Sequence, residues 1–190
     1  VNARFFPFGW DPDFHPHHPP GGPKIHEVVF IGNWDLRREG FLEKIAGRFD
    51  LKIWGNNAWK TRTKRNSHLK SCWQGGPAVG AAFSDVVARS AVVLNLFRDQ
   101  HAPGGVVMRT FEVPGAGGFL LSEANDGVRR LFPDGETGAY FTGTADCIEK
   151  IRCWLAHPTE REALARRAHM RVTTDFTYRR LASALLAQVF

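Results

Sequence analysis

Arg109 and Glu112, in the stretch MRTFEVPGAGGFLLSE (Met108 to Glu123), are the pair whose types and spacing best suit chemistry. At i and i+3 of a helix they share one face. A guanidinium there can make charge-assisted bonds to an anion. A carboxylate offers two acceptor oxygens. The same spacing also describes an ordinary helix pair contributing about 0.2–0.5 kcal/mol.

Other residues invite chemistry on weaker grounds. Arg37 and Arg38 follow the first apolar run and read equally as an anion clamp or as a solvated face. Asn95, inside VVLNLF, reads as a core amide with its hydrogen bonds satisfied. His101 sits in a loop, the usual place for functional groups, though a lone loop histidine is more often simply solvated. Asp11-Pro-Asp13 has an Asp-x-Asp spacing, and histidines 15, 17 and 18 lie close by. All of these sit among prolines with no cysteine or carboxylate framework, so no metal site is expected. WKTRTKRNSHLKSCW (Trp59 to Trp73) mixes cations with aromatics, the ingredients of a nucleic-acid surface. It is one short stretch and reads first as a solvated loop between sheet elements.

Several common sites are excluded by spacing. The turn after the first strand, GNWDLRREG, lacks the G-x-G-x-x-G of dinucleotide binding, and GAGG at 115–118 precedes a strand instead of following one. There is no Gly-Lys-Ser/Thr phosphate loop and no serine nucleophile elbow.

The elements that would position these groups alternate. EVVFIGN, DLKIWGN, VVLNLF, GFLLS and GAYF read as strands, separated by helical patterns in LRREGFLEKIAGRF, PAVGAAFSDVVARSA (opened by Pro77), GVVMRTFEVPGA and DGVRRLF. Three further helices close the chain. Apolar two-sided strands alternating with helices predict an α/β fold: a Rossmann-like parallel sheet, wound on both faces, with C-terminal helices. Such sheets bind ligands outside the carboxyl ends of their strands. Residues 1–24, rich in Pro, His and Gly, cannot propagate either element and read as an extended linker or arm ahead of a domain at 25–190.

Composition fits that reading. The 190 residues are 43% hydrophobic and 23% charged, with a net charge of +6 that favours anionic partners. No apolar run approaches the roughly 18 residues of a membrane span, and no signal peptide is visible. The three cysteines, 72, 147 and 153, are too few and scattered for a disulfide framework or a zinc site, so a reducing cytoplasm is expected.

The series FIGNWDLRREGFLEKI, LKIWGNNAW, VVLNLF, MRTFEVPGAGGFLLSE, LFPDGETGAYF and DFTYRRLASALL resembles the C-terminal half of GT-B glycosyltransferases. Within the glycosyl transferases group 1 superfamily it is most similar to the spore-maturation, CgeB-like group. The resemblance implies a domain that binds a nucleotide-sugar donor, with the acceptor and any general base supplied by an N-terminal half of the same enzyme. It implies that Glu112 receives the donor ribose, that Arg109 and Arg38 hold phosphate, and that Gly32 lets the ligand approach the backbone. It also implies that Gly104 and Gly105 open the helix whose free N–H groups hold the pyrophosphate. No cofactor or metal is then expected, since arginines and a helix end would stabilise the leaving diphosphate. The wider family often has a further glutamate eight positions before this one, and here that position is Gly104. The rival readings are a non-catalytic nucleotide-binding or regulatory module, and a nucleic-acid binder using the 59–73 stretch.

Overall fold

A computed structural model describes residues 5–18, 22–98 and 104–189. Five parallel strands form one sheet in the order β2-β1-β3-β4-β5: β1 (His26–Ile31), β2 (Leu51–Trp54), β3 (Ser90–Asn95), β4 (Leu120–Glu123) and β5 (Ala139–Phe141). This is the parallel, doubly wound sheet expected, and its order reverses between β1 and β3.

Alternation along the strands explains the two covered faces. Val28, Phe30, Val92 and Leu94 point to one side, where they meet Leu42 and Ile45 of α1 (Leu36–Ala46), Trp59 of α2 (Ala58–Thr61), Leu69 of α3 (Leu69–Cys72) and Ile151 of α7 (Gly143–Ala156). Val29, Ile31 and Val93 point to the other, against Phe83 and Val87 of α4 (Ala81–Ala88) and Val113 of α5 (Arg109–Gly115). Side chains on successive strand residues must face opposite ways, so a run apolar at every position is the mark of a strand covered twice.

Two helix starts differ from expectation. Pro77 does not open α4; Gly80 precedes the first helical residue, and Ala78 is instead buried against the sheet. Likewise α5 begins at Arg109, four residues beyond Gly105. Its Glu112 therefore lies in the first turn.

The remaining helices are α6 (Asp126–Leu131), α8 (Pro158–Asp175) and α9 (Tyr178–Val189). Among the described residues no helix is long and apolar enough to cross a membrane. Part of the Pro/His-rich segment packs onto the domain. Trp10 is buried with Phe111, Phe132, Val172 and Phe176, and its backbone bonds to Phe176 and Tyr178.

Candidate functional site

A cleft of about 640 Å³ opens over the carboxyl ends of β1 and β3, at the point where the strand order reverses. Glu112 forms part of its wall and is only 3% exposed. Arg109 Nη1 donates to Glu112 Oε2, while its Nε donates to the carbonyl of Ile31 at 3.2 Å, the last residue of β1. The guanidinium also lies 4.6 Å from the centre of the Phe83 ring. The cation and anion share a helix face, and the arginine clamps the carboxylate to the end of β1. Among the described residues Glu112 Oε1 accepts no hydrogen bond, and His15 Nδ1 lies 4.0 Å from it.

His15 comes from the arm and is buried against Phe83. Burial holds its pKa below the usual imidazole value, with Glu112 opposing that shift. His17 and His26 are shifted the same way, again chiefly by burial. From about pH 6.5 downward the unfolded chain takes up protons that these native imidazoles resist, so stability rises with pH over that interval. Urea midpoints are thus expected to fall between pH 7 and pH 5.5, and His15→Gln should reduce that slope. An unchanged slope in the variant would remove His15 from the effect.

Arg38 also reaches the cleft, but its guanidinium is largely committed. Nη2 donates to Leu96 O at 2.6 Å, Nη1 to Asn33 O at 3.1 Å, and Nε lies 3.3 Å from Asp35 Oδ2. Asp35 in turn caps α1 by accepting from the Arg38 backbone N–H. Burial lowers the Arg38 pKa to about 10, which leaves it cationic at neutral pH. It stitches the loop after β1 to the loop after β3. Arg37 turns the other way, bonding to Phe97 O and Glu123.

Gly32 sits where expected, directly after β1 on the cleft floor. A Cβ there would come within 2.8 Å of the Phe30 ring. Gly104 and Gly105 do not line the cleft and do not open α5. Gly104 has a positive φ of 84°, and its carbonyl occupies the space a Cβ on Gly127 would need, 1.9 Å away. Asn125 donates to Gly105 O at 2.9 Å. The two glycines therefore seat this loop on the start of α6, and Val106, Val107 and Met108 face the cleft instead.

Asn95 is buried and donates to Ser122 Oγ at 3.0 Å, as a core amide should, while also reaching the cleft. Arg98 and His15 are cleft residues that the sequence did not single out as ligand groups. Arg98 was visible only as part of a strand-end loop; His15 was visible only as one of a histidine cluster weighed for metal, with nothing local to place it at the cleft. His101 lies outside the described residues.

The 59–73 stretch is not a stacking platform. Trp59 is fully buried and donates to Gly32 O at 2.8 Å, and Trp73 donates to Gly55 O at 3.1 Å. Glu39 and Glu43 accept from backbone N–H groups of Lys64 and His68 and fix the loop to α1. Among the described residues no three His, Cys, Asp or Glu side chains converge as a metal centre would need.

Residues 37–187 match the family model described as "Glycosyl transferase-like". The chain belongs to that family. Its fold is shared with glycosyltransferases of known structure. The glycosyltransferase from Rickettsia africae aligns with a TM-score of 0.69 at 12% identity, over 87% of this chain and 47% of that one. Sucrose-phosphate synthase from Thermosynechococcus elongatus gives 0.63 at 16% identity, over 86% of this chain and 45% of that one. The T4 phage β-glucosyltransferase in complex with its UDP-glucose substrate gives 0.63 at 13% identity, over 92% and 52%. This glycosyl transferase-like chain thus spans about half the length of those enzymes. No curated protein sequence matches it.

Proposed function

We propose that this glycosyl transferase-like domain is the nucleotide-sugar-binding half of a GT-B glycosyltransferase of the CgeB-like group, working in the cytoplasm on an acceptor held by an N-terminal half. The observation that carries the reading is Glu112: a buried carboxylate at the switch point, clamped through Oε2 and with Oε1 left for a ligand. A ribose diol fits that acceptor. Arg38, Arg98 and Arg109 give the same cleft three guanidiniums, which suits a diphosphate. The T4 phage enzyme of similar fold, with its bound UDP-glucose, supports a donor of this class. In the reaction, leaving-group charge on the diphosphate would be stabilised by these cations, an electrostatic contribution. Alone, the domain is expected to bind donor weakly and transfer nothing, because in this reading the acceptor side and any general base belong to the other half.

A thermal-shift screen against UDP, GDP, ADP, CMP and their sugars tests this, since a ligand of the native state raises its stability by mass action. One nucleoside diphosphate family is expected to raise the melting temperature saturably, with the same midpoint in EDTA. If none does so at millimolar concentration the donor-binding reading fails, and a large loss with EDTA would instead bring a metal into the site.

A further inference from the structure

A second cavity, of about 250 Å³, lies at the amino ends of β3 and β4, the opposite end of the strands from Glu112. One face of α8 supplies much of its wall, with Arg161, Ala165, Arg166 and His169 spaced along it. Lys24 enters from the chain before β1, its ammonium held in place by donating to Ala88 O at 2.7 Å.

The charge here is unbalanced. Arg161 is only 5% exposed and donates through Nη1 to Trp154 O at 2.7 Å. Among the described residues neither Arg161 nor Lys24 forms an ion pair with a carboxylate. Glu162 is the single acid in the wall and the one carboxylate whose charge favours the cationic forms of Lys24 and Arg161, against three basic side chains. One carboxylate leaves the buried guanidinium under-compensated, and the cavity is where a further anion could sit. Ala91, Phe119, Ala165 and Met170 give the wall an apolar part.

His169 ties the cavity to the cleft. Its Nδ1 lies 3.0 Å from the carbonyl of Pro114 in α5, and since a carbonyl only accepts, Nδ1 carries the hydrogen. The His17 ring stacks on it at 3.9 Å, so the arm closes one side.

We propose that this cavity is a second ligand site for a small organic anion, a carboxylate or phosphate head on an apolar body, with the head toward Lys24, Arg161 and Arg166 and the body against Phe119 and Met170. The volume is just under that of typical ligand pockets, about 300–1,000 Å³, and so fits a fragment-sized molecule. Nothing in the proposal depends on what binds at Glu112.

Calorimetric titration of the chain with phenyl phosphate, benzoate, benzamide and inorganic phosphate tests it. Phenyl phosphate or benzoate should bind at one site, with benzamide weaker by about tenfold or more, a difference of about 1.4 kcal/mol. Arg166→Gln and Lys24→Gln, at positions that are exposed and half-buried, should each weaken that binding at least fivefold, and Glu112→Gln should leave it unchanged. Absence of saturable binding at millimolar concentration overturns the proposal. So does benzamide binding as tightly as benzoate, or inorganic phosphate as tightly as phenyl phosphate, since the first removes the need for charge and the second the need for an apolar body. Binding that survives both Arg166→Gln and Lys24→Gln but is lost in Glu112→Gln would place the probe in the cleft instead and equally overturn it.

Discussion

Trp10→Ala is expected to lower the unfolding free energy by about 3–5 kcal/mol, the usual cost of emptying a buried tryptophan site. Trp10 lies in a Pro-rich segment, yet it is 4% exposed. Its indole lies flat on Gly115, where an added Cβ would come within 2.4 Å, and meets the His169 ring edge-on at 5.9 Å. Its Nε1 donates to His15 O at 2.9 Å, holding the turn that delivers His15 to the cleft. The backbone forms a parallel bridge beside Thr177, with Trp10 N–H donating to Phe176 O at 2.8 Å and Tyr178 N–H to Trp10 O at 3.1 Å. Trp10→Phe retains much of the volume and should cost less, losing mainly the Nε1 bond. Urea unfolding at constant m-value measures both. A loss below about 1 kcal/mol for Trp10→Ala, the size of an ordinary surface effect, would show that the arm is dispensable to the domain.

The strands and the sheet type were legible because β1 and β3 carry unbroken apolar runs, residues 28–31 and 91–94, and only a strand covered on both faces needs that. The helix starts were less so. Pro77 and the Gly104–Gly105 turn carry the local signals of helix openings, but Ala78 is claimed by the core and Gly104 by its close approach to Gly127. Tertiary contacts therefore decided both boundaries. The arm shows the same limit from the other side. Its composition rules out regular elements correctly but is silent about burial, which for Trp10 and His15 depends on partners over 60 residues away, such as Phe83, Glu112 and Phe176. Periodicity also treats Arg38 as surface. It is buried because the carbonyls of Asn33 and Leu96 need donors in a crowded loop pair. The Arg109–Glu112 pair was readable as a pair, whereas the bond from Arg109 to Ile31 O, which anchors it to the end of β1, spans 78 residues.

Glu112→Gln is expected to weaken nucleotide binding by about 1–3 kcal/mol, the range for a hydrogen bond to a charged group. Glutamine keeps the shape and can still accept from Arg109, but it presents a neutral acceptor or an N–H₂ to the ligand. The loss should shrink for a 2′,3′-dideoxy nucleotide, which lacks the diol the carboxylate would receive. Arg109→Ala tests the other member of the clamp. Because Arg109 ties Glu112 to Ile31 O, its removal should weaken nucleoside binding as well as diphosphate binding. The double variant should then lose less than the sum of the two single losses, as residues in one network do. Any extra loss confined to the diphosphate measures direct contact of this guanidinium with phosphate. If the pair were only a helix contact, both variants would shift the melting temperature slightly and leave nucleotide affinity alone. Glu112→Gln binding nucleotide as tightly as the parent chain would end the ribose role, whatever the fate of the fold.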